Sequence, residues 1–412
     1  MDSIEITLDS LRNVGFSELE EDMFIITDEP KLPGYLCFPK KGLEDRFNTN
    51  EVYGQGIDTH STIARVKCVG EFLERLCLDN PQKDRFVYSG FDDRDVFVDP
   101  GLFSCYSEEQ LPDREEVIEQ SRKEKYLWWK AKDFFSGKDM LIPGQLIFLS
   151  NDFNDEFPIR RESISTGAAL GKIGEDRAFK SGFLEVVERD AAMSAYLNRR
   201  KIKKITNLPD SLNNLNEYIK RYQLDTNLFD ITTDLGIPSI LAVTLDHSGV
   251  GDAVNVGSNS AIDYETAIKY ALLESIQCRR QSRVSNKFGF EDKIPKEDEI
   301  VSMDDRFAYW RDISRINDLD FWVKSDDSIS FDELKERKVS LNGTIRSMKD
   351  RGFHIYVADL TLPKIRAHGF EVKKVVIPEL HPLYLDERAK ALYSVHHGRI
   401  NDDPTLKPHP IT

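Results

Sequence analysis

GFLEVVERDA, at residues 182–191, is the most informative stretch of the chain, and the small-residue run STGAALG precedes it at residues 165–171. Apolar residues around GFLEVVERDA recur every three or four positions, which predicts an amphipathic helix over residues 175–199. Glu185 and Glu188 stand three residues apart in this helix, so both carboxylates lie on one face at the border of the apolar side. The pair therefore points at one place.

Two other segments repeat this arrangement of a helix with a polar pair at positions i and i+3. The pairs are Glu71 with Glu74 on a predicted helix at 59–79, and Glu274 with Gln277 on a predicted helix at 263–282. Burying several carboxylates is costly unless a cation neutralises them. Mg²⁺ fits this need, because it takes a few carboxylate oxygens and completes its octahedron with water and substrate phosphates. The competing interpretation places each pair on a solvated helix face, where glutamates at this spacing are common.

The remaining segments predict an alternation of helices and strands. A charged and then aromatic segment at 112–136 is interpreted as a helix ending at Gly137, and strands are predicted at 145–149 and 236–245. The opening residues, including Met23–Ile26, favour strands and turns, because their short apolar runs are interrupted by prolines and a glycine. We therefore expect an α/β or α+β architecture.

The composition limits the partners and the location of the protein. The 412 residues carry 72 acidic and 56 basic side chains, which gives a formal net charge of −16. No overall field draws such a chain to nucleic acid or to an anionic membrane surface. The N-terminus lacks the basic and apolar regions of a signal peptide, and no apolar run reaches the roughly 18 residues of a membrane span. We therefore expect a soluble, cytoplasmic protein with neither nucleic acid nor a membrane as partner.

Familiar nucleotide-binding motifs are missing from the sequence. GAALGKI at residues 167–173 approaches a phosphate-binding loop, but it is one residue short and has Ile173 where the Mg²⁺-binding Ser or Thr would stand. Gly54-Gln55-Gly56 lacks the third glycine of a dinucleotide-binding loop. If the chain binds ATP, it uses another design.

Three blocks follow one another in the chain. They are GQG at 54–56 with GEFLER at 70–75, STGAALG at 165–171 with GFLEVVERDA at 182–191, and ALLESIQCR at 271–279. In composition and order these blocks resemble the YcaO family of ATP-dependent enzymes that activate peptide backbone amides, and the second block is the most diagnostic. Weaker similarity extends to Trp129, Asp230–Pro238, Gly257, Tyr309–Asp312, Asp359–Thr361 and Val375–Pro378. The resemblance therefore covers most of the chain.

The resemblance implies a YcaO-type fold, with mixed sheets flanked by long helices and the ATP site between the helices. The cofactors that it implies are ATP and Mg²⁺. The implied metal ligands are Glu71, Glu74, Glu185 and Glu188. The implied nucleotide contacts are Ser165, Gly167, Arg189, Glu274, Gln277 and Arg279, with Arg189 also catalytic. The chain departs from many members of the family at Ser285-Asn286-Lys287, where a glycine and an arginine are usual, so Lys287 receives no role.

The implied activity is phosphorylation of a peptide amide oxygen by ATP, which turns that oxygen into a phosphate leaving group. A Cys, Ser or Thr side chain that attacks the amide carbon then gives an azoline, whereas external sulfide gives a thioamide. Azoline-forming members resemble one another in a proline-rich C-terminal tail that reaches the active site, and this chain ends PHPIT. Pro408 and Pro410 match that pattern as catalytic residues, while Thr412 departs from it. The match favours the azoline branch, and an ordinary disordered terminus is the alternative.

The expected division of the chain has three parts. Residues 1–50 form an N-terminal segment packed on the core, residues 51–395 form the ATP-binding catalytic domain, and residues 396–412 form the tail. The azoline branch implies a precursor peptide as substrate and a separate leader-binding partner related to ubiquitin-activating (E1) enzymes. A homodimer is a further expectation.

The sequence leaves open two alternative functions and the identity of a catalytic base. The chain could form thioamides with a sulfide source, or serve as a noncatalytic scaffold that stabilises a partner enzyme. The candidate bases are His60, His354, His396, His397 and His409. Scattered core or surface histidines are the competing interpretation of these five residues.

Overall fold

The computed structural model describes residues 3–18, 20–22, 28–49, 52–92, 96–111, 113–159, 165–249, 251–287, 294–400, 403 and 405–411. The helices are α1 (Ser3–Arg12), α2 (Ser61–Asp79), α3 (Arg114–Lys123), α4 (Arg177–Leu197), α5 (Asp210–Lys220), α6 (Tyr264–Lys287), α7 (Met303–Trp310), α8 (Asp320–Val323), α9 (Phe331–Lys335), α10 (Leu341–Asp350) and α11 (Pro363–Ala367). Within these residues, none of the helices has both the length and the apolar character needed to cross a bilayer.

The strands form two large sheets and two small ones. They are β1 (Glu21–Asp22), β2 (Gly34–Cys37), β3 (Gly54–Ile57), β4 (Val87–Gly90), β5 (Lys125–Asp133), β6 (Asp139–Pro143), β7 (Ala168–Lys172), β8 (Lys203–Thr206), β9 (Leu224–Asp230), β10 (Ser239–Asp246), β11 (Val254–Ser260), β12 (Ser328–Ser330), β13 (Tyr356–Asp359), β14 (Phe370–Val376), β15 (Tyr393–Ser394) and β16 (Gly398–Arg399). The sheet orders are β1-β2-β3, β11-β10-β9-β8-β12, β4-β5-β13-β14-β7 with β6 beside β5, and β15-β16.

Both large sheets are built mainly from antiparallel pairs. The six-stranded sheet is antiparallel throughout. The five-stranded sheet adds one parallel pair, β8 with β12, to its antiparallel pairs. The predicted fold class, α/β (α+β) with mixed sheets flanked by long helices, is therefore confirmed.

The three helices with polar pairs lie close to their predicted bounds. α2 and α4 each end within two residues of the prediction, and α6 continues five residues beyond residue 282. The strand predicted at 236–245 is present as β10. Each of the three helices packs on the strand that directly precedes it, so that α2 lies on β3, α4 on β7 and α6 on β11.

Glycines bring these strands and helices unusually close together. A Cβ atom on Gly56 of β3 would collide with the backbone of Ala64 in α2. A Cβ atom on Gly257 of β11 would likewise collide with the backbone of Ala271 and Ser275 in α6. Because only glycine permits this approach, strand N–H groups come within reach of helix side chains.

Four clusters of buried side chains support these layers. The α2 core includes Phe72, Leu76, Trp128 and Trp129. The α4 core includes Phe183, Val186, Val187 and Met348. The α6 core includes Leu228, Ala267, Leu272 and Ile276. The tail core includes Tyr196, Trp310, Trp322 and Ile411. The three helices that carry the polar pairs thus pack in different cores, and α4 contributes to both the α4 core and the tail core.

The prediction of one helix over 112–136 is wrong. Helix α3 ends at Lys123, and β5 begins two residues later. Tyr126 and Trp128 are fully buried on β5, which pairs with β4, β6 and β13. Aromatic side chains pack well on a pleated surface, so pairing on both sides outweighs the apparent continuation of the helix.

The strand predicted at 145–149 is also wrong. The carbonyl oxygen of Gly144 accepts hydrogen bonds from the N–H groups of Ile147 and Phe148, both at 2.9 Å, which closes a helical turn. The strand of this region is β6, which ends at Pro143. Ile147 and Phe148 are buried in the α2 core without belonging to a sheet.

The opening segment is only partly strands and turns, since α1 is a helix. Leu8 and Leu11 bury one side of α1 in the α2 core, a spacing that the analysis of the sequence overlooked. Met23–Ile26 lie outside the described residues. β1 pairs with β2, and β2 pairs with β3, which belongs to the next part of the chain. The boundaries at 50/51 and 395/396 stay predictions.

The described residues of the C-terminal segment, 405–411, are docked on the tail core. Their backbone oxygens accept hydrogen bonds from the Tyr196 hydroxyl to Lys407 (2.9 Å), the Trp310 indole to Pro408 (3.1 Å) and the Arg306 guanidinium to His409 (2.6 Å). His409 is fully buried and its ring contacts the carbonyl oxygen of Tyr384 at 2.7 Å. An ordinary disordered terminus is therefore the wrong description of these residues.

Substitution of Gly257 by alanine tests the close strand–helix packing. We expect Gly257→Ala to lower the free energy of unfolding by about 1–3 kcal/mol, because the new methyl group forces α6 away from β11. Gly70→Ala in α2 is the matched control, since a Cβ atom there meets no atom within 4 Å. Alanine favours the helix by up to about 1 kcal/mol at such a position. Denaturant unfolding of both variants measures the difference, and equal stabilities would contradict the packing argument.

Candidate active site

Each of the three helices presents a glutamate to a backbone N–H of a neighbouring strand or turn. Glu71 of α2 accepts from Gln55 on β3 at 3.0 Å. Glu185 of α4 accepts from Gly167, just before β7, at 3.0 Å. Glu274 of α6 accepts from Ser258 on β11 at 2.8 Å. The same construction therefore fixes one carboxylate from each helix.

Glu188 is the most deeply buried of the glutamates in the three helix pairs, with 5% of its surface exposed. The Ser258 hydroxyl donates to one carboxylate oxygen at 2.7 Å, and the N–H of Ser260 donates to the other at 3.2 Å. Arg189 lies between two carboxylates, with nitrogens 3.8 Å from Glu188 and 4.0 Å from Glu274. β11 and α4 thus hold Glu188 and Arg189 beside α6.

The five glutamates Glu71, Glu74, Glu185, Glu188 and Glu274, which we call the carboxylate cluster, line two adjoining clefts. One cleft, of 380 Å³, is lined by Glu71 and Glu74. The other, of 280 Å³, is lined by the remaining three glutamates and Arg189. Gln277 and Lys67 line both clefts and so join them.

Burial and mutual repulsion disfavour the ionised forms of Glu74, Glu188 and Glu274. Burial first, and then the charge of Glu274, raise the pKa of Glu188 to about 8. Burial raises the pKa of Glu274 to about 7. The pKa of Glu74 lies well above its ordinary value because of burial and the charges of Glu185 and Glu71. The cationic side chains near this site therefore do not fully neutralise its carboxylates when these are ionised.

The donor set suits Mg²⁺. It consists of carboxylate oxygens that carry more negative charge than the nearby cations Arg75, Arg189 and Lys374 offset. Hard oxygen donors beside an open cleft match an ion that keeps several positions for water and phosphate oxygens. The alternative of solvated helix faces does not describe a cluster that is buried between helices.

Other predicted site residues lie in different surroundings. Arg279 is 2% exposed and its guanidinium binds Glu29 at 2.8 Å and Asp246 at 2.7 Å, away from the residues that line the two clefts. Ser165 forms the turn before β7, where its carbonyl oxygen accepts from the N–H of Ala168 at 3.1 Å. Gly167 adopts a φ of +89° and supplies the N–H that holds Glu185. The partners of Arg279 are therefore buried acidic side chains that line neither cleft.

Pro408 and Pro410 are buried in the docked C-terminal segment. This segment meets α4 at Tyr196, two helical turns beyond Glu188, which is about 12 Å along the axis. Among the described residues, no hydrogen bond or ion pair joins the segment to the carboxylate cluster. A catalytic role of the two prolines stays a prediction.

Analysis of the sequence missed several residues around the clefts. Ser258 and Ser260 hold Glu188, and Lys67 lies over the ring of Tyr270 at 4.0 Å and pairs with Asp58 at 3.0 Å. The run VNVGSNS of β11 carried a usable signal, because small polar residues alternate there within a strand that is almost wholly buried. Buried polar side chains need partners, and the Ser258 hydroxyl has its partner in Glu188.

The raised pKa values predict how stability depends on pH without divalent cations. Glu188 and Glu274 keep their protons in the folded state up to about pH 8 and 7, but lose them near 4.5 when unfolded. The folded state binds more protons across this window, so their contribution to stability is complete below pH 4.5 and is lost as the pH rises towards 8. We expect Glu188→Gln to reduce the fall in unfolding free energy between pH 5 and 8, measured by denaturant titration in a chelating buffer.

Glu217→Gln serves as the control for this measurement. Glu217 is exposed on α5 and pairs only with the neighbouring Lys220 among the contacts described here. Its curve should run parallel to that of the unsubstituted protein. A parallel curve for Glu188→Gln as well would contradict the assignment of the raised pKa to this carboxylate.

One curated relative and two solved structures place the chain among known proteins. An uncharacterized protein in the tfuA 3′ region of Rhizobium leguminosarum bv. trifolii is 26% identical over 268 residues, which are 62% of this chain and 57% of that protein. A heterocyclase in complex with substrate and cofactor superposes with a TM-score of 0.73 at 18% identity. That match covers 98% of this chain and 54% of the heterocyclase, so the chain spans little more than half the length of either protein.

The second structure is similar over nearly its whole length. YcaO from Methanopyrus kandleri, bound with AMPPCP and Mg²⁺, superposes with a TM-score of 0.67 at 18% identity and covers 98% of this chain and 96% of that one. These likenesses establish the fold. The sequence model described as YcaO cyclodehydratase, ATP- and Mg²⁺-binding, matches residues 54–381, which contain all five members of the carboxylate cluster. The chain therefore belongs to the YcaO family, whose cofactors are ATP and Mg²⁺.

Proposed function

We propose that this chain uses ATP and Mg²⁺ to phosphorylate the carbonyl oxygen of a peptide backbone amide, and that the product is an azoline formed from Cys, Ser or Thr. The observation that carries this proposal is the convergence of the carboxylate cluster on two joined clefts beside Arg189. Such an arrangement suits phosphoryl transfer, where catalysis consists mainly of positioning and charge stabilisation. Family membership and the likeness to a heterocyclase support it.

Glu71, Glu74, Glu185 and Glu188 are the proposed metal ligands. Bound Mg²⁺ would supply positive charge that offsets the negative charge of the ATP phosphates. The N–H groups of Gln55, Gly167 and Ser260 hold three of these carboxylates in place before any ligand arrives. Preorganisation of this kind removes the cost of reorienting charged groups during the reaction.

Arg189 is the proposed catalytic cation. Its guanidinium is buried between Glu188 and Glu274, which limits its freedom and aims it at the smaller cleft. From there it offsets negative charge on the phosphoryl group as it transfers. Glu274 and Gln277 complete the proposed nucleotide contacts, together with Ser165 and Gly167. Arg279 binds Glu29 and Asp246, and its predicted contact with nucleotide stays a prediction.

The proposed reaction has two chemical steps. The amide oxygen attacks the γ-phosphorus of ATP, the bond from that phosphorus to the bridging oxygen breaks, and ADP leaves. A Cys, Ser or Thr side chain of the substrate then attacks the amide carbon and loses its proton, the amide nitrogen loses its proton, and the former amide oxygen departs in phosphate. The peptide loses one water in total while ATP becomes ADP and phosphate.

The azoline product, the substrate and the partner rest on the docked C-terminal segment and on the family. The segment carries Pro408 and Pro410 in a fixed conformation against α4, the helix of Glu185 and Glu188. We propose that a precursor peptide is the substrate and that a separate E1-like protein binds its leader. The likeness to a heterocyclase in complex with substrate and cofactor supports the heterocycle-forming reaction.

Substitution of one carboxylate tests the metal site. Glu188→Gln should lower Mg²⁺-dependent ATP hydrolysis about 100-fold or more, because a neutral amide is a poor ligand for the ion. Glu217→Gln on the surface of α5 should leave the rate unchanged. Phosphate release measures both rates, and circular dichroism checks that both variants fold. Full activity in Glu188→Gln would remove Glu188 from the mechanism, whereas absence of ATP hydrolysis in the unsubstituted protein as well would favour the noncatalytic scaffold.

Mass spectrometry of a candidate precursor peptide tests the product. With ATP, Mg²⁺ and the leader-binding partner, we expect loss of one water for each modified residue without added sulfide. Removal of residues 404–412, and separately Pro408→Ala with Pro410→Ala, should abolish that loss. Melting curves accompany these variants, because His409 and Ile411 are buried. An exchange of oxygen for sulfur that needs sulfide and survives both changes would establish thioamide formation instead.

A further inference from the structure

Asp190 follows Glu188 by two residues on α4 but serves a different group of side chains. Positions i and i+2 of a helix point in different directions, so Asp190 faces away from the carboxylate cluster. It meets the segment that leads to the docked C-terminus, at His381, His396 and His397. Asp190 is fully buried, and the proposed reaction does not use it.

Three potential ligand atoms converge at this point. One carboxylate oxygen of Asp190 lies 2.9 Å from Nδ1 of His396 and 3.0 Å from Nε2 of His397. The two imidazole rings have centroids 4.0 Å apart, and all three ligand atoms lie within 4.8 Å of one another. A tetrahedral ion with bonds of about 2.0–2.2 Å holds its ligand atoms roughly 3.3 Å apart. A small outward movement of the side chains therefore admits an ion.

Outer contacts provide a second, independent observation. The other ring nitrogen of His396, Nε2, lies 2.7 Å from a carboxylate oxygen of Asp234. The second carboxylate oxygen of Asp190 accepts from the N–H of His381 at 2.8 Å. Histidines that bind metals usually donate their remaining N–H to a carboxylate, and carboxylates that bind metals are themselves hydrogen-bonded. Asp234 fixes the tautomer that leaves Nδ1 of His396 available as a ligand.

We propose that Asp190, His396 and His397 form a binding site for a divalent transition metal of the Zn²⁺ class, separate from the carboxylate cluster. Two imidazoles and one carboxylate suit this class better than Mg²⁺, which prefers oxygen donors alone. The site ties α4 to the hairpin of β15 and β16, which precedes the docked C-terminal segment. Its role is structural, since the ion would hold that segment on the helix of Glu185 and Glu188.

The competing explanation is a hydrogen-bonded triad without metal. Both ring nitrogens of His396 would then donate protons, one to Asp190 and one to Asp234. The two explanations predict different results when metal is supplied, because a hydrogen-bonded triad would not bind the ion.

Metal analysis distinguishes these explanations. The purified chain is exposed to Zn²⁺ in an excess of Mg²⁺, passed through gel filtration and analysed for zinc. We expect one equivalent in the unsubstituted protein and a loss of at least ten-fold in zinc affinity in His397→Gln and in Asp190→Asn. His354→Gln is the matched control, because His354 also pairs with a carboxylate, Glu379, at 2.6 Å but lies outside the three ligands. This control should retain the full equivalent.

A spectroscopic readout identifies the ligands without reference to activity. Co²⁺ in place of Zn²⁺ should give the visible absorption of a tetrahedral site and a shifted proton signal from Nε2–H of His396. Both should vanish in His397→Gln and persist in Glu188→Gln. Absence of bound zinc in the unsubstituted protein, or equal binding in His397→Gln, would overturn the proposal. Loss of zinc in Glu188→Gln alone would do the same, because it would place the ion in the carboxylate cluster.

Discussion

Repulsion among the buried carboxylates of α2, α4 and α6 is the constraint around which the site is organised. Five glutamates share two joined clefts, and the pKa values of Glu74, Glu185, Glu188 and Glu274 are raised because burial removes the water that would otherwise stabilise their charge. Protons relieve the repulsion in the ligand-free protein. In the proposed site, Mg²⁺ would relieve it when ion and nucleotide bind, so the same repulsion that weakens the empty fold would strengthen binding. The fold tolerates the clustered carboxylates, and binding of a cation is favoured because it reduces their repulsion.

The fold holds Glu71, Glu185 and Glu274 in place through backbone N–H groups. In each strand–helix unit, an N–H of the preceding strand or turn donates to a glutamate of the helix. The close approach that this requires is possible because Gly56 and Gly257 bring no side chain to the helix surface. Backbone donors cannot rotate away, which makes the positions of the carboxylates a property of the fold itself.

Much of this arrangement could be predicted from the sequence, for a physical reason. Residues three apart on a helix, such as Glu185 and Glu188, lie on one face. The apolar periodicity around these pairs predicted all three helices, and their alternation with strands predicted the fold class. The aromatic segment around Trp128 was predicted wrongly, because pairing with β4, β6 and β13 decides its conformation and local sequence does not describe pairing. The partners of Arg279 were missed for the same reason, since Glu29 and Asp246 are remote in sequence. The roles of individual site residues stay predictions, because they depend on ligands as well as on the fold.

The three helices of the carboxylate cluster bury their apolar sides in different cores: α2 in the α2 core, α6 in the α6 core, and α4 in the α4 core and the tail core. The carboxylates therefore lie where separate packing units meet. In the proposed site, a nucleotide held by ligands from all three helices would link these units. Amide protons on the facing sides of α2, α4 and α6 would then exchange with solvent as one cooperative unit in the loaded protein, and as three separate units in the empty one.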